Sequence, residues 1–168
     1  MTGAAGSGKS LVAAALAARL RARFVDGDDL HTRAHRAKIM SGAPLDDDDR
    51  RLWLDAMSLV LADQAPVVVA STPLRRAYRD RLRAAAGDVW FAELVMPDDA
   101  AAVKARRRRS RRDRVVPEDL VDPLLGGPEE RDRLPLATDE AGGRFAHDAD
   151  LGSIVDRIAS VREAQSLR

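Results

Sequence analysis

Eight residues near the amino terminus constrain this chain more than any other feature. Gly3-Ala-Ala-Gly-Ser-Gly8-Lys9-Ser10 fits the phosphate-loop pattern GxxxxGK[ST]. At ordinary glycine usage, a chance match in a chain of this length has a probability on the order of one per cent. The residue types follow from the chemistry. Glycines let the backbone curl until several N–H groups point at one phosphate, and the helix that follows adds the positive end of its dipole. In such a loop, Gly3, Ala4, Ala5, Gly6, Ser7 and Gly8 cradle the nucleotide phosphates. Lys9 reaches the β- and γ-phosphates, and Ser10 ligates Mg²⁺. The plain structural alternative is a glycine-rich turn ahead of an alanine-rich helix.

The loop needs a strand before it and a helix after it. Residues 10–22 supply the helix, with Val12, Leu16 and Leu20 at i, i+4 and i+8. Met1-Thr2 is too short to supply a central strand covered on both faces. Roughly five buried apolar residues, on the order of 10 kcal/mol of burial, are missing from that reading. The expectation is therefore that the natural start lies some half-dozen apolar residues upstream.

The rest of the chain reads as one domain. Its 168 residues are 45% apolar and 33% charged, a globular composition with room for a core. The 28 basic and 27 acidic side chains nearly cancel, which removes any global argument for nucleic acid or an anionic membrane. All of the basic residues except Lys9, Lys38 and Lys104 are arginine. The absence of cysteine excludes a disulfide framework and Cys-ligated metals. No apolar run approaches the 18 or so residues that span a bilayer. Residues 11–18 resemble the core of a signal peptide, but the phosphate loop accounts for them better. A cytoplasmic location follows.

Short apolar runs alternate with helical patterns, the signature of parallel βαβ units. Strands are expected at residues 23–26, 67–70, 89–95 and 144–146. Helices are expected at 50–63, with Trp53, Met57, Val60 and Leu61 on one face, at 74–85, and at 151–162. A further helix opens at Pro97-Asp-Asp99 and runs into an arginine cluster. Residues 113–143 read as loop, with Pro117, Pro123, Pro128 and Pro135 and two Gly-Gly pairs.

A second chemical signal is Phe24-Val-Asp-Gly-Asp-Asp-Leu-His31. The helix after the phosphate loop carries the chain about 18 Å away. The next strand returns, so Asp26 and Asp28 emerge at its carboxyl end, the edge where open α/β sheets bind ligands. Two carboxylates one residue apart suit phosphoryl transfer. One holds the metal's water shell, and the other orients or deprotonates the attacking hydroxyl. The plain alternative is an acidic turn capping the next helix.

At this point the blocks resemble the bacterial-type gluconate kinases, within the shikimate-kinase-like branch of P-loop kinases. The resemblance rests on residues 3–10 and 24–31, on Lys38 before Gly42-Ala-Pro-Leu45, and on Asp47, Asp49, Arg50, Trp53 and Leu54. Residues 67–70, 74–80, Pro135-Leu136 and Asp139-Glu140 add to it. It covers the first 85 residues well and the remainder patchily. The resemblance implies an α/β fold in three layers, a mostly parallel sheet with helices on both faces and a lid over about residues 104–130. It also implies transfer of the ATP γ-phosphate to a hydroxyl of a sugar acid, with Mg²⁺, giving 6-phosphogluconate from gluconate. Asp28 then orients or deprotonates the acceptor hydroxyl, and Asp26 lies near the metal. Arg50 clamps the substrate carboxylate or is a surface arginine. His31 bonds substrate hydroxyls or is a local cap. The resemblance also suggests a homodimer.

The chain departs from the family pattern at His35, where the family has Asn, and at Ser71-Thr-Pro-Leu-Arg75. It departs again in the lid, where Arg114-Val-Val116 replaces His-Phe-Met. Residues 106–114 hold a dense arginine cluster. Without interleaved aromatics, it fits a lid better than a nucleic-acid patch. Arg107 and Arg111 take the lid positions, Arg107 on the nucleotide and Arg111 on the transferring phosphate. The readings left standing are a gluconate-type kinase, a related small-molecule kinase with another acceptor, and a non-catalytic nucleotide-binding relative.

Overall fold

The computed structural model describes residues 1–3, 7–43, 45–63, 66–71, 75–96, 135–147 and 150–166. Five strands run in parallel. They are β1 (Thr2–Gly3), β2 (Arg23–Asp26), β3 (Val67–Ala70), β4 (Phe91–Val95) and β5 (Gly142–Ala146). β2 pairs with β3, and β1–β4–β5 form a second ladder. Met1 joins the two: its amine donates to the Val69 carbonyl at 2.8 Å, and its own carbonyl accepts from Ser71 N–H at 3.0 Å. One residue bonded to two positions that flank its partner is the parallel-ladder pattern. The spatial order is therefore β2–β3–β1–β4–β5.

The strand before the loop is short, as the sequence implies, and it is held in place by its neighbours. Thr2 and Gly3 are both buried, and they pair with Glu93 and Leu94. β4 pairs with Thr2 and Gly3 on one side, and Met1 bonds to Val69 and Ser71 of the β3 side on the other.

Helices cover both faces. On one lie α1 (Lys9–Leu20) and the last helix, α5 (Leu151–Ser166). Val12, Ala13, Leu16 and Ala17 meet Ile154, Val155, Ile158 and Ala159 over Val68, Ala70, Ala92, Leu94 and Phe145. On the other lie α3 (Asp47–Asp63) and α4 (Arg76–Ala86). Trp53, Leu54, Met57 and Leu82 pack there on Val25, Val69 and Phe91. Val69 faces one core while Val68 and Ala70 face the other, as the period of a strand requires. The stretches that the sequence marked as strands form strands, and the helices expected at 10–22, 50–63, 74–85 and 151–162 appear as α1, α3, α4 and α5, with α3 beginning three residues early. Three aspartates in its first turn explain the early start, because they complement the helix dipole. α2 (Arg33–Met40) has no counterpart in the sequence reading. Its mean hydropathy is polar and its length is two turns, so periodicity gave no signal. The Thr32 hydroxyl, accepting from His35 N–H at 3.2 Å, was the readable start. The expected helix after Pro97 and the lid at 104–130 lie outside the described residues.

Candidate functional site

All five strands end at one edge, and the phosphate loop leaves β1 there. Gly8 caps α1 in the left-handed region, at φ 82° and ψ 12°, a conformation glycine adopts without strain. Gly3 is needed for closeness. A Cβ there would lie 2.8 Å from the Leu94 carbonyl oxygen and 3.0 Å from Ser7 Oγ. Ser7 is fully buried, and its hydroxyl finds no hydrogen-bond partner among the described residues. A buried hydroxyl left open beside the first turn of α1 fits a loop that awaits an anion. Lys9 is buried at the helix start and Ser10 is half-buried beside it. Ala4, Ala5 and Gly6 lie outside the described residues, as do Arg107 and Arg111.

The amine of Met1 sits within this charge field. Burial, and then the nearby Lys9 ammonium, push it down from 8.0 to about 5.

Two strand spacings away, about 10 Å along the edge, β2 ends at Asp26 and opens a single 3₁₀ turn, Gly27–Leu30. Asp26 Oδ1 accepts from Asp28 N–H at 3.0 Å. The capping alternative is thus realised for Asp26, within the turn that carries Asp28. Gly27 is packed against the end of β3. A Cβ there would lie 2.7 Å from Ser71 Cβ and 2.8 Å from the Ala70 carbonyl oxygen. His31 is a local cap, closing the 3₁₀ turn with its backbone N–H donating to the Asp28 carbonyl at 3.4 Å, while Thr32 caps the start of α2.

α3 closes the far side. Trp53 Nε1 donates to the Gly27 carbonyl at 2.7 Å, and its ring stacks on His31, with centroids 5.2 Å apart and planes inclined by 10°. His35 meets His31 edge-on at 5.7 Å, and its Nε2 lies 3.4 Å from Asp49 Oδ1. Asp49 and Asp46 cap each other: Asp49 N–H donates to Asp46 at 2.8 Å, and Asp46 N–H donates to Asp49 at 3.0 Å. Lys38 Nζ bridges both carboxylates at 2.9 and 2.5 Å. The Asp49 N–H and then Lys38 hold the Asp46 carboxyl down to about 2, while the carboxylates, Asp49 first, raise Lys38. Arg50, one turn before Trp53 on the same side of α3, has a side chain only 13% exposed, with Nη1 3.2 Å from Asp47 Oδ1. It is not a freely solvated arginine.

Sequence reasoning used Trp53, Lys38 and Asp49 only as pattern matches and missed their geometry. It also missed a buried ionic clasp. Arg79 grips Glu140 through Nε at 2.8 Å and Nη2 at 2.6 Å, and Arg83 adds a contact at 2.9 Å. Arg76 holds Asp139 at 2.8 Å. The readable signal was the co-occurrence of residues 74–80 with Asp139-Glu140, two blocks that meet in space.

A parallel sheet in the order β2–β3–β1–β4–β5, with a glycine-rich phosphate loop between its central strand and α1, defines the class of P-loop nucleotide-binding proteins. Residues 1–125 match the AAA domain family. The chain is 38% identical over 114 residues to the thermosensitive gluconokinase of Escherichia coli K12, an alignment covering 65% of this chain and 59% of that protein. It is 36% identical over 127 residues to the gluconokinase of Gluconobacter oxydans, covering 73% and 70%. A crystal structure of a gluconokinase from Sinorhizobium meliloti superposes with a TM-score of 0.79 at 29% identity, over 99% of this chain and 93% of that one. The chain belongs to the gluconokinase family. The stretch that aligns with the Escherichia coli relative is somewhat over half of that protein's length.

Proposed function

We propose that this chain transfers the γ-phosphate of ATP to a hydroxyl of a sugar acid, D-gluconate first among them, giving 6-phospho-D-gluconate and ADP. The observation that carries the reading is the arrangement of one sheet edge. The phosphate loop and the Asp28 turn leave strand ends two spacings apart on that edge, and α3 fixes the turn from behind. The loop amides and Lys9 bind the transferring phosphate. Asp28 accepts the proton of the acceptor hydroxyl as its oxygen bonds to phosphorus and the bond to ADP breaks. His31 bonds neighbouring hydroxyls, and Arg50 takes the carboxylate with its planar guanidinium. Ser10 and Asp26 would hold a Mg²⁺ ion arriving with the nucleotide, which would supply positive charge against the phosphates. Among the described residues no group of three or more His, Asp or Glu side chains is set to hold a metal. No described helix is long and apolar enough to cross a membrane. The family supports a cytoplasmic enzyme acting on a small molecule, as a homodimer.

The test is ADP release from ATP and Mg²⁺ with a panel of sugar acids. Gluconate should turn over, and Asp28→Asn should lower kcat far more than it changes the KM for ATP. Absence of turnover with every sugar acid, or full kcat in Asp28→Asn, would overturn the reading.

A further inference from the structure

One buried side chain touches both ends of the Asp28 turn. The turn is a single 3₁₀ unit of four residues, Gly27–Leu30. So short an element makes too few internal hydrogen bonds to hold itself. At its entry, the Gly27 carbonyl accepts from Trp53 Nε1 at 2.7 Å. At its exit, His31 lies flat on the Trp53 ring at 5.2 Å. Trp53 itself is 7% exposed and wedged among Leu54, Met57, Val25 and Val69, so its position is set by the core rather than by the turn. Below, Gly27 rests on Ser71 and Ala70 with no room for a side chain, so the turn cannot sink. From the side, His35 meets the His31 ring, and His35 is backed by Asp49, which Lys38 holds.

We propose that Trp53 is a positioning residue for phosphoryl acceptance: it clamps the entry and exit of the turn and so sets where the Asp28 carboxylate and the His31 ring stand relative to the acceptor hydroxyl. This rests on the reading of Asp28 given above. An indole suits the task because it offers a broad apolar face and one N–H donor on the same rigid ring. Misplacing a reacting group by about an ångström costs on the order of a hundredfold in rate. A clamp of this kind therefore acts on kcat without touching the substrate.

The experiment is a double-mutant cycle on kcat with ATP, Mg²⁺ and gluconate, run well below the melting temperature of each protein. Trp53→Phe keeps an aromatic face for His31 and removes the N–H. It should lower kcat by roughly tenfold to a hundredfold and leave the KM for ATP within about twofold. In the Asp28→Asn background the same change should cost less than about threefold, because the group being positioned is gone. A purely structural role would reduce both backgrounds by the same factor, and that result overturns the proposal while leaving the Asp28 reading intact. Unchanged kcat in Trp53→Phe alone also overturns it. If Asp28→Asn alone keeps full turnover, the Asp28 reading fails instead. Should Trp53→Phe not fold, a Trp90→Phe protein carrying the benzothiophene analogue of tryptophan at residue 53 removes only the donor. The same kcat loss is expected there, and wild-type kcat would overturn the proposal.

Discussion

Glu140→Gln is the most informative perturbation of the clasp between α4 and residues 135–141. The Glu140 side chain is 1% exposed and that of Arg79 is 3% exposed. Glu140 accepts from Arg79 Nε and Nη2, from Arg83 Nη1 at 2.9 Å and from Ala137 N–H at 3.0 Å. Glutamine keeps the shape and one acceptor oxygen. It turns the other oxygen into a donor that faces Arg79, and it leaves a buried guanidinium without its counter-charge. Breaking a buried pair in this way costs about 3–5 kcal/mol, against a net stability of about 5–15 kcal/mol for a whole domain. For a chain of this size that corresponds to a fall in melting temperature of about 10 °C.

The pH dependence has a definite sign. The Arg79 guanidinium, with help from Ala137 N–H and Arg83, holds the Glu140 carboxyl down from 4.5 to about 2. The folded pKa lies below the unfolded one, so this contribution is full above pH 4.5 and is lost as pH falls towards 2. Urea denaturation at pH 7 and at pH 3 should show a large difference between wild type and Glu140→Gln at the higher pH and a smaller one at the lower. Equal stability at pH 7 would refute the idea that Glu140 compensates the burial of Arg79. Replacing Arg79 and Glu140 together by leucine should recover most of the loss.

Lys9→Ala should reduce phosphoryl transfer at least a hundredfold while the circular dichroism spectrum stays native, since Lys9 lies at the start of α1 and acts on phosphate charge. In a polypeptide that retains Met1 with a free amine, that amine is neutral when folded at pH 7 and protonated when unfolded. Stability should therefore rise between about pH 5 and pH 8, by roughly 1.4 kcal/mol per pH unit at most. Chemical denaturation at pH 5.5 and 7.5 reads this directly, and a flat profile would refute it.

The loop, the Asp26–Asp28 pair and the strand–helix alternation were legible because each is local. A phosphate loop is eight consecutive residues, and the run Val67–Ala70 declares itself as a strand bounded by Pro66 and Ser71. What stayed hidden depends on pairs far apart in the chain. Trp53 and Gly27 are 26 residues apart, and Arg79 and Glu140 are 61 apart. No helical or strand period links such positions, so the turn's clamp could not be read from periodicity, and the clasp showed only as two blocks that occur together in the family pattern. α2 was missed for a different reason, since a short polar helix shows little periodicity.

The contact beneath Gly27 bears on how such a site can diverge. There the first residue of the 3₁₀ turn meets Ser71 Cβ and the Ala70 carbonyl with no space for even one methyl group, so a side chain at residue 27 is shut out. On the proposed reading, variation in what the site accepts falls instead on the side chains around it, those of the 3₁₀ turn, of α2 and of the first turns of α3. His35, buried edge-on against His31, is one of them. On that reading, a change of acceptor has to be made around residue 27 rather than at it, with Asp28 and the Trp53 that holds its turn kept in place.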